Sequence, residues 1–194
     1  MKVTKAKVAE NRAALLEAAI HLFQQKGFDG TSVAEISARA GLTQGAFYAQ
    51  FASKAAIAQE ACRESLNHRR EGWLAVRGKG HDDLLAYMEL YLSWRHLDNV
   101  SKGCALSALA AEGPRVGEAV QQELTFGYNE LVTLLAEALP LKDAQQARSR
   151  AMVLMASMTG CLTMARAVRD LHPEMAEQIL VAARRELRHL ALSP

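Results

Sequence analysis

The sequence predicts an all-α protein of about nine helices, with an N-terminal helix-turn-helix and a larger C-terminal helical body. Three observations carry this. Half of the 194 residues are hydrophobic and only four are proline, in a chain rich in Ala and Leu that favours helix over strand. Apolar residues recur at spacings of three and four along most of the chain. The segment 32–51 holds two short helical runs separated by a Gly-centred turn.

Helix one is expected over about 8–26, where Val8, Leu15, Ala19, Leu22 and Phe23 share a face and Gly27 closes the pattern. Ser32 with Glu35 forms a capping-box signature that opens a second helix, and Gly41 ends it. Thr43 starts a short third helix, and Ser53 caps a fourth reaching about Val76. The stretch GKGHDD, 78–83, reads as a loop before helix five, about 82–98. After a break at 99–103 comes a short helix six, about 104–111. Gly113-Pro114 begins helix seven, with proline where its missing N–H is harmless, and Pro140 stops it. Helix eight, about 143–170, is apolar on nearly all sides and must be covered. Pro173 opens helix nine, whose apolar stripe lies opposite Arg184, Arg185 and Arg188.

Net charge is only +2, but residues 1–54 carry seven Lys/Arg against four Asp/Glu. The basic end is therefore the candidate partner of a polyanion. Three cysteines without paired spacing argue against a disulfide framework or a zinc site and fit a reducing cytoplasm. The basic start lacks the apolar core of a signal peptide, and charge interrupts each apolar stretch before a membrane span is reached, so no membrane partner is expected. No cofactor is expected, because HExxH, paired CxxC and phosphate-binding glycine loops are all missing from the sequence.

A short helix, tight turn and second short helix form the geometry that lays a recognition helix in the major groove. On a helical wheel Ala46, Phe47, Gln50 and Phe51 fall on one side, and Gln44, Gly45, Tyr48 and Ala49 on the other. The first set packs and the second faces out. Gln44 and Tyr48 are the candidates for base contact, Gln because it presents donor and acceptor together to an adenine edge. Thr31, Ser32 and Thr43 sit at helix starts that favour a phosphate, and Lys54 adds a charge. Lys2, Lys5 and Lys7 precede helix one as a candidate flexible arm for the minor groove or phosphates. For Arg69, Arg70 and the arginines of helix nine, a solvated face is the expected reading.

The run from Arg12 to Ile57, about a quarter of the chain, closely resembles the N-terminal domain of TetR/AcrR-family regulators. The matching elements include Leu22-Phe23, Gly27-Phe28, Thr31-Ser32-Val33, Ala40-Gly41, Thr43, Gly45-Ala46-Phe47-Tyr48, Phe51 and Ser53-Lys54. Ser37 stands where a small Ala is usual, and Gln50, a further candidate phosphate contact, where His is common. The resemblance implies a DNA-binding domain, 1–54, and a ligand-binding and dimerisation domain, 55–194. It implies a homodimer on double-stranded operator DNA, a small-molecule effector, and a dimer interface from the last two helices. Leu154, Gly160, Ile179, Ala183 and Leu187 are the candidates for that interface.

Tyr87, Tyr91, Trp94 and Phe126, with Met155 and Met158, are candidates to line an effector pocket. Cys104 invites two readings, an electrophile- or redox-sensing thiol at a helix start and an inert buried side chain. The functional expectation is a repressor released from its operator by a small hydrophobic or reactive molecule. An activator or ligand-independent regulator is the alternative, and a cysteine-dependent enzyme pairing Cys104 with His96 is a remote one.

Overall fold

A computed structural model describes residues 4–76 and 81–193. The described residues form eleven α-helices and one 3-10 turn, with no strand. The helices are α1 (Lys5–Lys26), α2 (Val33–Arg39), α3 (Gln44–Tyr48), α4 (Lys54–Val76), α5 (His81–Tyr91) and α6 (Trp94–Asp98). After the 3-10 turn Val100–Lys102 come α7 (Ala105–Leu109), α8 (Gly113–Val116), α9 (Glu118–Ala138), α10 (Ala144–Val168) and α11 (Pro173–Leu192).

The fold class is as expected, and the two additional helices have local causes. Helix five divides because the Ser93 hydroxyl accepts from the His96 N–H, capping a new start at Trp94. Helix seven divides at Gly117, whose φ of 138° is open only to glycine without strain. Part of the expected loop, 77–80, lies outside the described residues, and α5 already begins at His81. At the other end Thr4 caps α1 by accepting from the Lys7 N–H, so the helix starts at Lys5. Lys5 and Lys7 are thus helical rather than part of a free arm, with Lys7 3.0 Å from Glu10, while Lys2 lies outside the described residues. Val8 is exposed, about two turns before the buried face of α1 formed by Leu15, Ala18, Ala19, Leu22 and Phe23.

The short helices near the N-terminus rest on α1, which lies against α2, α3, α4, α7 and the 3-10 turn. In the rest of the chain α10 is central, packed on α9 and α11 and touching α6 and α7, while α4 joins α1 to α9. By length and composition α10 could cross a membrane. Leu154, Met155, Met158 and Leu162 of this helix are buried, whereas Met152, Val153 and Met164 are exposed.

Candidate nucleic-acid interface

The α2–turn–α3 unit is fixed at both helix starts by side-chain caps, and at α2 the cap is reciprocal. Ser32 Oγ accepts from the Glu35 N–H at 3.2 Å, and Glu35 Oε2 accepts from the Ser32 N–H at 2.9 Å, completing the capping box. Lys26 Nζ donates to Glu35 Oε1 at 2.7 Å and, with the Ser32 bonds, holds that carboxyl down at about 2. Thr43 Oγ1 accepts from the Ala46 N–H at 3.2 Å and starts α3. Between the helices Gly41 takes a φ of 68°, the left-handed conformation that ends α2 and turns the chain.

α3 is seated by one residue above all. Phe47 is fully buried, with ring centroids 5.8 Å from Phe51 and 5.2 Å from Tyr48. Removing such a ring costs about 3–5 kcal/mol. A partly exposed ion pair such as Arg12–Glu60, at 2.6 Å between α1 and α4, contributes about 1 kcal/mol or less. Apolar burial therefore decides where α3 lies, and Arg12 refines it by standing 4.4 Å over the Phe51 ring.

This seating turns Gln44, Gly45, Tyr48 and Ala49 outward together, with Tyr48 58% exposed. A Cβ at Gly45 would meet only Thr43 Oγ1, at 3.7 Å, so nothing inside the chain demands glycine there. Its smallness serves the outer surface. Thr43 is exposed and Gln50 and Lys54 half-buried at the edge of the same surface. Thr31 is different: it is buried and its hydroxyl donates to the Gly27 carbonyl at 2.8 Å, which removes it from the outer face. Ser32 is exposed, but its hydroxyl is engaged with Glu35.

A link to the rest of the chain escaped sequence reasoning. Glu112, between α7 and α8, accepts from the Phe28 N–H at 2.7 Å. Its carboxylate lies where a Cβ of Gly27 would stand, so only glycine lets it reach the backbone after α1. Nothing in the sequence spacing, 84 residues apart, could have shown this.

The residues expected to line an effector pocket differ in burial. Tyr87, Tyr91, Cys104, Met155 and Met158 are packed in the core, whereas Trp94 is 37% and Phe126 61% exposed. Their helical spacing reflects core packing on one face and surface on the other. Around Cys104 the chain builds a buried polar cluster. His96 Nδ1 donates to the Tyr91 carbonyl at 2.7 Å, and His96 Nε2 accepts from the Cys104 N–H at 3.2 Å. Burial, then the nearby Arg69 charge, brings the His96 imidazole down to about 4, so it is neutral at pH 7. Both ring nitrogens are engaged with backbone, which leaves the imidazole no free lone pair for the thiol. Arg166 donates to the carbonyls of His96 and Leu97 and to Ser107 Oγ. Burial pushes the phenols of Tyr87 and Tyr91 up, and it raises the thiols of Cys62, to about 12, and Cys161. Tyr87 Oη and Trp73 Nε1 are buried without a hydrogen-bond partner, and so is Arg69 Nε, on a residue expected to be solvated.

Of the dimer candidates, Leu154, Ala183 and Leu187 are buried within the single chain and Ile179 is half-buried, where α10 packs on α11. Periodicity finds a helix's apolar stripes but cannot say which faces its own chain. Gly160 is exposed, beside Met152, Val153, Ala156 and Met164 on the outer face of α10.

A sequence model of bacterial regulatory proteins of the tetR family matches residues 15–61, which contain the whole α2–α3 unit. A model of the C-terminal domain of LmrA/YxaF-like transcriptional regulators matches residues 86–176. Among relatives, the transcriptional repressor BepR of Brucella suis is 42% identical over 89 residues, 46% of this chain and 43% of that protein. The regulator TtgR of Pseudomonas putida is 37% identical over 81 residues, 42% of this chain and 38% of that protein. The chain thus spans less than half the length of these relatives. In fold it is similar to reduced NemR of E. coli, with a TM-score of 0.79, 22% identity, and 95% of this chain and 98% of that one covered.

Proposed function

Because the chain belongs to the TetR/AcrR family of helix-turn-helix transcriptional regulators, we propose that it is a sequence-specific repressor released from its operator by a small molecule. The carrying observation is the outward set Gln44, Gly45, Tyr48 and Ala49, held on a helix that Phe47 anchors from behind. TetR-family regulators bind operator DNA, act as dimers and bind small-molecule ligands. In this reading residues 1–54 bind double-stranded DNA in the cytoplasm and residues 55–194 dimerise and sense the effector. Thr43, Gln50 and Lys54 touch phosphates at the rim, while Gln44 and Tyr48 meet base edges.

Two copies joined through the outer face of α10 would present two α3 helices, which must match half-sites ~34–36 Å apart. An effector that changes the angle of α1 and α4 changes that separation and releases DNA without covalent chemistry. Complete burial of Cys104 favours a hydrophobic effector over a reactive one. The test is selection of duplexes from a random pool by the purified protein, followed by titration across salt concentrations. A two-fold symmetric site with a steep salt dependence is expected, and binding with no sequence preference would reject the proposal.

A further inference from the structure

An open cleft of about 1080 Å³ lies between α1, the end of α2, α4 and the 3-10 turn, away from the aromatic residues of the core. Its two ends differ in chemistry. Along α1 the lining is mostly apolar, with Ala13, Ala14, Leu16, Ala18 and Ile20 around a single carboxylate, Glu17. From Ala13 to Gln24 this wall runs ~16 Å at ~1.5 Å per residue, so it suits an elongated molecule.

At the other end α1 contributes His21 and Gln24, α4 contributes Ser65 and Arg69, and Arg39 and Lys102 close the rim. Burial, then the charges of Arg39 and Lys102, lowers the His21 pKa, which agrees with an electropositive end. Gly103 also lines it, and a Cβ there would stand 2.8 Å from Arg166 Nη2, so another guanidinium lies directly behind the wall. The carboxylates of the lining are Glu17 and Glu64, and Glu64 already faces His68 at 3.5 Å.

Two polar groups on this floor are enclosed and incomplete. Gln24, 5% exposed, donates from Nε2 to Ser65 Oγ at 2.6 Å, and its Oε1, an acceptor, is left without a partner. Because the Ser65 hydroxyl can donate or accept, the Gln24 amide can present either end. Arg69 Nε, one helical turn along α4 from Ser65, is also without a partner, and its Nη2 donates only to the Lys102 carbonyl at 3.3 Å. A buried donor left unpaired is unfavourable, and Arg69 as a whole is only half-buried, so its guanidinium can turn to meet an acceptor in the cleft.

We propose that this cleft binds an elongated organic carboxylate, its anionic head on Arg69, Gln24 and Lys102 and its apolar body along α1. The inference rests on the reading of the chain as a ligand-released DNA binder, and it names both the ligand class and the site. That site is shared between residues 1–54 and the helical body rather than confined to residues 55–194. The occupant bridges α1, which carries the helix-turn-helix, and α4, which leads into the helical body, and so acts on the angle between them.

Octanoate is a suitable probe, with 1-octanol as the neutral molecule of equal chain length. Calorimetric titration of the full-length protein at fixed ionic strength should show one saturable octanoate site per chain and at least tenfold weaker binding of 1-octanol. Arg69→Gln should weaken octanoate at least tenfold. Lys102→Glu, at an exposed position, and Ala14→Trp, which fills the apolar wall, should each weaken it several-fold and keep the test open if the Arg69 variant does not fold. Equal binding of octanoate and 1-octanol, no saturable octanoate binding, or variants that bind octanoate as the wild type does would overturn the proposal. Operator affinity of the same samples separates the two readings: intact operator binding without octanoate binding rejects only the cleft, and octanoate binding without operator binding rejects only the regulator.

Discussion

At the scale of single residues, neighbours in sequence perform opposite tasks. Phe47 is fully buried and Tyr48 58% exposed, so one holds α3 in place and the other is free to touch what α3 meets. That division was legible in the sequence, because ~100° per residue assigns each position to a face. Which way a hydroxyl turns, and which side chains tertiary packing encloses, was not legible. Thr31 and Thr43 look alike beside their helix starts, yet the Thr31 hydroxyl turns inward to Gly27 and only Thr43 caps a helix. Arg69 sits in a polar run that suggests a solvated face, but the folded chain buries its Nε. Tyr87 illustrates an energetic consequence: its hydroxyl is buried without a partner, and such a group costs about 1–3 kcal/mol. Tyr87→Phe should therefore leave the denaturant midpoint unchanged or raise it, and a clear fall would mean that the hydroxyl makes a bond in solution.

At the scale of elements, the short helices depend on their caps, since α2 and α3 are too short to persist by propensity alone. The Ser32–Glu35 box was readable from spacing, and the structure adds Lys26 to it. The Glu35 carboxyl is held down from 4.5 to about 2. A depressed folded-state pKa gives stability that is present above the unfolded value and lost as pH falls through the folded one. The stability difference between the wild type and Glu35→Gln should hold from pH 7 to about 4.5 and fade towards about 2, as denaturant midpoints at each pH would show. A difference that persists undiminished at pH 2 would assign the effect to side-chain shape instead of charge. Helix ends set by tertiary contact, such as the division of helix five at Ser93, lie beyond what spacing can reveal.

At the scale of the molecule, α10 shows why part of the architecture could not be read from pattern. Its sequence is apolar nearly all round, and a stripe against α11 has the same composition as one against a second copy. The folded chain buries Leu154 and leaves Met152, Val153, Gly160 and Met164 outside. If two copies pair through this outer face as proposed, Val153→Asp with Met164→Asp should give a monomer in sedimentation equilibrium while the helical circular dichroism is retained. An unchanged dimer would move the interface elsewhere. The Glu112 bond to Phe28 and the cleft beside Arg69 have the same origin, in that both arise where α1 meets the body of the chain.

The central claim, that the outer face of α3 reads DNA, is tested most directly by comparing operator and random-duplex affinities of the wild type and Tyr48→Ala at matched salt. The account predicts that Tyr48→Ala lowers operator affinity by about 1–3 kcal/mol with its thermal midpoint and random-duplex affinity unchanged. Equal operator affinity in the two proteins would contradict it.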